Sequence, residues 1–334
     1  MKQVLNWGLL STARINEALI PPLRSSKRSR LAAVASRSQA AADEYARSWK
    51  IPRAHGSYEA LLRDPEIDVI YNPLPNSMHA EWTIKALRAG KHVLCEKPMA
   101  LSVGESDAIQ AAVQETGRVA AEAFMYRHHP QTLKVREKVT DGALGKLQLI
   151  RGSFTFMLTR PGDVRLDPAL GGGGIWDVGC YPISYARLIA GAEPLEAFAW
   201  QLTGPTGVDM SLVGQLRFPG DVYAQFDCGF ASPFHAFMEI IGTEGTLNIP
   251  SPFKPGKKEK IYFTHDRQTE RIDIKGQELY IGEVEDMADA VLLGRPPRVS
   301  LADSRGNAAA ICALLQSARS GNPVPVGGGE RARN

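Results

Sequence analysis

Two segments carry the side chains best suited to move a proton. Glu96-Lys97-Pro98 follows a short strand pattern, His92 to Cys95. Lys97 therefore falls at a strand's C-terminal end, where α/β folds hold their ligands. A lysine there can hydrogen-bond or protonate an oxygen on a reacting carbon, and Glu96 can orient it or pair with it. Read alone, a lysine is a solvated surface residue far more often than a catalyst. Asp177-Val-Gly-Cys-Tyr181 follows the glycine run Gly171 to Gly174. Asp177 and Tyr181 share a face if one helix covers both. A tyrosine beside an ammonium has its pKa lowered and can give or take a proton. In a core it is a packed ring with a satisfied hydroxyl. Asp177 can also be a plain N-cap. His128-His129 invites a metal reading, but adjacent histidines diverge on a helix. No cysteine or carboxylate completes a ligand set, so no metal is expected. His79 can face either a ligand or the core.

Other residues suit an anion. The first strand runs into Gly8-Leu-Leu-Ser11-Thr12-Ala13-Arg14-Ile15. Such a turn brings backbone amides to a pyrophosphate at a helix N-terminus. The glycine fingerprint of dinucleotide folds is degenerate here, with Ser11, Ala13 and Asn16 at its three positions, so an ordinary strand-to-helix turn reads equally well. The second strand ends in Ser36-Arg37-Ser38 instead of the acid that binds a ribose 2′-hydroxyl. Arg37 can pair with a 2′-phosphate, which predicts NADP over NAD.

The elements that would position these groups change character along the chain. Strand patterns at Val4–Leu10, Leu31–Ser36, Val69–Asn72, His92–Cys95 and Val119–Phe124 alternate with helical ones at 14–23, 39–50, 76–88 and 102–117. The alternation implies a parallel, doubly wound sheet. Pro21 and Pro22 blur the end of the first helix. Ser102-Val-Gly-Glu105 reads as a capping box. Beyond about residue 145, strands follow one another without helices: 147–159, 195–203, 211–218, 222–230, 236–241, 260–264 and 271–275. That pattern predicts an antiparallel or mixed sheet. Helices are expected near 177–189, 280–293 and 303–319. The expected domains are 1–125 and 126–326, with 327–334 a disordered tail.

Composition narrows the partners. The chain has 334 residues, enough for two cores, with 44% hydrophobic and 22% charged residues. Its 39 basic and 36 acidic residues leave a net charge of +3, which gives no electrostatic case for nucleic acid. No window approaches a membrane span, and the start does not read as a signal peptide. Cys95, Cys180, Cys228 and Cys312 are scattered, which fits a reducing cytoplasm.

Taken together, these residues resemble the glucose–fructose oxidoreductase/inositol dehydrogenase (Gfo/Idh/MocA) family. The resemblance rests on four segments: residues 69–79, 89–98 with the lysine motif, 122–130, and 239–247. It implies a Rossmann domain followed by an α+β domain with an open, mostly antiparallel sheet, whose face would bury a homodimer or homotetramer contact. It implies nucleotide contacts from Ser11, Thr12, Ala13, Arg14, Ile15, Ser36 and Arg37. Leu74, Asn76, His79, Glu96 and Lys97 would lie toward the nicotinamide. Many members carry a histidine where this chain has Tyr181. A tyrosine there, and the segment Arg160 to Arg165, resemble the D-xylose 1-dehydrogenases, dimeric dihydrodiol dehydrogenases and some nucleotide-sugar ketoreductases. By that resemblance Arg127, Phe156, Asp163 and Arg165 would touch substrate.

The expected activity is hydride exchange between NADP and a secondary alcohol, hemiacetal or ketone carbon of a sugar- or polyol-like substrate. Tyr181 would move the proton, Lys97 would tune it, and Asp177 would orient the substrate or the lysine. The alternatives are a ketoreductase acting on a nucleotide-linked ketosugar and a non-catalytic NADP-binding sensor.

Overall fold

The computed structural model describes residues 3–327. The expected tail lies outside the described residues except for Gly327. The chain divides into two units, Met1–His128 with Glu278–Ser304, and His129–Gln277 with Arg305–Asn334.

In the first unit β1 (Leu5–Leu9), β2 (Ser29–Ala35), β3 (Arg53–His55), β4 (Val69–Asn72), β5 (His92–Glu96) and β6 (Ala120–Ala123) form one parallel sheet. Their order, β3-β2-β1-β4-β5-β6, is that of a Rossmann fold. Helices α1 (Asn16–Ser25), α2 (Gln39–Trp49), α3 (Tyr58–Arg63), α4 (His79–Arg88) and α5 (Val103–Thr116) connect the strands. Two apolar clusters involve the sheet. One gathers Ala33, Ile70, Leu87, Val93 and Ile109. The other gathers Trp7, Val34, Tyr71 and Leu94 with Val284, Met287 and Ala288.

Residues 278–304 therefore belong with the first unit, whereas the sequence reading placed them with the second. The stripe at 284, 287, 288 and 291 recurs at helical spacing and buries against Rossmann strands, which local patterning cannot reveal. Helix α1 runs through Pro21 and Pro22 to Ser25, because Leu19, Ile20 and Leu23 are fully buried and packing overrides the lost backbone bonds. Residues 76–78 form a 3₁₀ turn, and α4 starts at His79 without a side-chain cap. In the Ser102 box, Ser102 Oγ accepts the Glu105 N–H at 3.1 Å, while the Glu105 carboxylate accepts from Leu101 at 2.7 Å. Strand β3 and helix α3 were not foreseen. The strand has three polar-flanked residues, although Ser57 caps α3 recognisably by accepting the Ala60 N–H at 3.1 Å.

The second unit holds a nine-stranded sheet. After α6 (Pro130–Thr140) come β7 (Leu147–Met157), α7 (Cys180–Ala190), β8 (Glu196–Thr203), β9 (Asp209–Phe218), β10 (Val222–Gly229), β11 (Ala231–Gly242), β12 (Gly245–Ile249), β13 (Lys258–His265), β14 (Gln268–Lys275) and β15 (Val324–Pro325). The order is β14-β13-β12-β11-β7-β10-β9-β8-β15. Among the described residues of this sheet, β7 and β10 pair in parallel. The other pairs are antiparallel, as consecutive strands without crossover helices require.

Candidate active site

The first unit presents a nucleotide-binding edge. Between β1 and α1, the Asn16 side chain donates to the Ser11 carbonyl at 2.7 Å, and Ser11 Oγ accepts the Ala13 N–H at 3.2 Å. These bonds shape a tight turn without the fingerprint glycines. Gly8 serves a different purpose, since a Cβ there would stand 2.9 Å from Leu61. The amides of Thr12, Arg14 and Ile15 donate to no partner among the described residues. Donors left open at a helix start suit an anion. At the end of β2, Ser36 is buried, and Arg37 is exposed with no ion pair among the described residues. The Ser38 hydroxyl caps α2 by accepting from Ala41. The donor set is cationic and rich in N–H groups, which fits a 2′-phosphorylated dinucleotide.

Lys97 stands where β5 ends, on a loop held from several sides. Glu96 accepts the Tyr71 hydroxyl proton at 2.5 Å and the Lys97 N–H at 3.2 Å. Glu122, on β6, accepts the Met99 N–H at 2.8 Å. His79 places Nδ1 2.7 Å from the Pro98 carbonyl oxygen and Nε2 2.6 Å from the Leu74 carbonyl oxygen. A neutral imidazole has a single N–H for these two acceptors. Burial pushes its pKa down to about 4 against the pull of both carbonyls. The sequence left His79 open between ligand and core; at 1% exposure it lies between the Leu74 and Pro98 carbonyls and can donate to one of them at a time. Leu74 is itself buried in the core, and Asn76 lies half-buried in the 3₁₀ turn. Arg127, expected at substrate, is buried and ion-paired with Asp303 at 2.6 Å. A buried guanidinium keeps such a partner because losing it strands a charge.

The second unit carries the tyrosine. Residues Ile175–Gly179 form a π-helical turn that leads into α7 at Cys180. The wider turn changes the spacing on which a shared α-helical face for Asp177 and Tyr181 was predicted. Asp177 is no N-cap. Its Oδ2 accepts from Arg165 Nε at 2.7 Å, and Arg165 also meets Asp163 at 3.2 Å. Asp163 in turn caps the 3₁₀ turn at Arg165 N, 3.1 Å away. Three expected site residues thus form one half-buried ionic network. The Tyr181 ring is 4% exposed, edge-on to Phe154 with centroids 5.3 Å apart and tilted against Phe253 at 5.6 Å. Phe156 stands edge-on to Phe230 at 5.2 Å. Sequence reasoning missed Tyr71, Glu122 and Asp209. Each acts through a contact more than twenty residues away, and no local pattern signals it. Among the described residues, no cluster of His, Cys, Asp or Glu could hold a metal, and no helix is long and apolar enough to cross a membrane.

Comparison with known proteins extends these observations. Residues 5–124 match the family model described as oxidoreductase family, NAD-binding Rossmann fold, and residues 132–248 match the GFO/IDH/MocA C-terminal domain. The chain is 36% identical to D-xylose 1-dehydrogenase (NADP(+)) 2 of Haloferax volcanii, over 96% of this chain and 99% of that protein. It also resembles the solved structure of KijD10, a 3-ketoreductase from Actinomadura kijaniata in complex with NADP and TDP-benzene. There the TM-score is 0.89 at 29% identity, covering 94% of this chain and 98% of that one. An aldose-aldose oxidoreductase from Caulobacter crescentus, complexed with glycerol, superposes with a TM-score of 0.90 at 26% identity, over 97% and 100% of the two chains.

Proposed function

The chain belongs to the GFO/IDH/MocA oxidoreductase family, and on that premise we propose that it is an NADP-dependent oxidoreductase of sugar-like alcohols and ketones. The observation that carries this reading is the anchoring of Lys97 at the C-terminal end of β5, in the same unit as an amide-lined turn and an unpaired-by-acid Arg37. The turn residues Ser11 to Ile15 would hold the pyrophosphate, and Ser36 and Arg37 the 2′-phosphate. NADP, when bound, supplies the hydride acceptor or donor.

The remaining chemistry belongs to side chains. Tyr181 Oη takes the proton of the alcohol as its C–H bond breaks, and returns one in the reverse direction. Lys97 Nζ donates to the substrate oxygen. Asp163, Arg165 and Asp177 supply charged hydrogen-bonding groups matched to vicinal hydroxyls. Lys97→Met and Tyr181→Phe should each lower kcat on a verified substrate by about a hundredfold or more, the usual weight of positioned acid–base catalysis. Near-wild-type turnover in both variants sinks the reading, and tight NADPH binding without turnover on a broad polyol and ketone panel points to a sensor.

The likeness to a nucleotide-sugar ketoreductase supports a second substrate class, a nucleotide-linked ketosugar. Turnover of free pentoses against nucleotide ketosugars separates the two. We also propose that the chain self-associates through the outer face of its nine-stranded sheet. Trp200, paired with Val213, and nearby Leu202 and Tyr223 are exposed there.

A further inference from the structure

The turn that carries Asp177 is held by a buried carboxylate to which the reading above gives no role. Asp209, the first residue of β9, is 4% exposed. Its Oδ2 accepts the Ile175 N–H at 2.6 Å, and the Gly174 amide adds to the stabilisation of its charge. The glycine strap is shaped around it. A Cβ on Gly173 would stand 2.3 Å from Asp209 Oδ1, and one on Gly174 would stand 3.2 Å from Oδ2 and 3.0 Å from the Gly229 Cα. Gly173 also has a φ of +126°, which a side chain rarely tolerates. On its other side the strap is tied to the loop of Arg165, because the Gly172 and Gly173 amides donate to the Asp167 and Arg165 carbonyls at 2.9 and 3.0 Å.

We propose that Asp209 is the positioning residue of the proton-transfer turn: its carboxylate fixes the first amides of the π-helical turn and thereby the places of Asp177 and Tyr181. The inference rests on the assignment of Tyr181 as the proton carrier. A π-turn is less favourable than an α-turn and needs an outside anchor to persist. A charge-assisted N–H···O bond is stronger than a neutral one, which gives the carboxylate an advantage over an amide at this position.

Burial pushes the Asp209 pKa up to about 6, so its charge lowers folding stability at neutral pH. Among the described residues, the titratable and charged neighbours give it no counter-ion. Cys228 on β10 is a thiol, pushed up by burial and by the Asp209 charge, with Cys180 near it. Asp227 is bonded to Ser153, and Arg165 is engaged with Asp177 and Asp163. The groups favouring ionised Asp209 are the backbone amides of Gly174, Ile175 and Asp209 itself. As the pH falls through about 6, the carboxyl takes a proton and its hold on Ile175 weakens.

Amide exchange on the full wild-type chain reads the anchor directly. After correction for intrinsic rates, exchange at Ile175 should accelerate about tenfold between pH 7.5 and pH 5, and Asp209→Asn should show the fast rate at both. In turnover assays Asp209→Asn should lower kcat about tenfold at pH 7.5, remove the acid limb near pH 6, and leave NADPH affinity unchanged. Unchanged protection at Ile175, or a variant that keeps the wild-type kcat and acid limb, overturns the proposal. If Asp209→Asn fails to fold, the wild-type exchange series decides the matter alone. If Tyr181→Phe retains turnover, the assignment of Tyr181 fails, and the exchange data still report whether Asp209 holds the turn.

Discussion

Arg37 is the residue on which the cofactor choice turns. It is exposed at the end of β2, where an acid would select the free ribose hydroxyl, and no carboxylate neutralises it among the described residues. A guanidinium can pair with the 2′-phosphate through two bonds, and an acid would repel it. Arg37→Glu should therefore weaken NADPH binding by about ten- to a hundredfold while leaving NADH binding nearly unchanged. Fluorescence titration of both nucleotides measures this, and equal NADPH affinity in the variant would remove the basis for preferring NADP. Arg127 teaches the opposite lesson. The family resemblance implied substrate contact for it, and the structure pairs its buried guanidinium with Asp303.

At the scale of elements, the exposed face of β8, β9 and β10 is unusual. Trp200 is 62% exposed and Leu202 59%. Phe198 packs edge-on to Trp200 with ring centroids 4.4 Å apart. Cross-strand rows then continue through Gln215 and Arg217 to Gln225 and Tyr223. Large apolar side chains grouped on one sheet face lose little conformational entropy on docking and gain much buried area. Trp200→Lys should shift the chain toward monomer in sedimentation velocity, with its far-ultraviolet circular dichroism retained. A wild-type chain that sediments as a monomer at micromolar concentration excludes this face as a stable self-contact.

For the whole molecule, buried ionisable groups set the pH of greatest stability. Burial lowers the pKa of His79 and His92 to about 4 and of His128 to about 3, and lowers that of His129 as well. The unfolded chain binds protons at these histidines below about 6.5 while the folded chain does not, so stability falls as the pH drops through that window. For fully buried His79 the effect is on the order of 3 kcal/mol. Asp209 and Glu283 act the other way. Their folded carboxyls hold protons that the unfolded chain releases, so stability falls as the pH rises, up to about 6 for Asp209 and further for Glu283, whose pKa is raised well above its usual value. Burial raises the Asp286 carboxyl in the same sense as those of Asp209 and Glu283. Glu283→Gln removes one of these groups, so the melting temperature of the variant should gain on that of the wild type as the pH rises above about 4.5. A difference between the two that stays constant from pH 4.5 to 7.5 contradicts this assignment.

The sequence by itself determined whatever depends on near neighbours. The alternation of strands and helices, the Ser102 box, and the positions of Lys97 and Arg37 at strand ends follow from local periodicity and backbone preference. The motif around Lys97 made the family legible for the same reason, being contiguous. Tertiary structure decided what contiguity cannot encode. It returned 278–304 to the first unit, bound Tyr71 to Glu96, and turned His79 inward. It also paired Asp177 with Arg165 and converted its helix start into a π-turn anchored by Asp209. Each of these is a packing contact or hydrogen bond that only the packed chain brings together. The strength of each comes from burial, which no window of sequence reports.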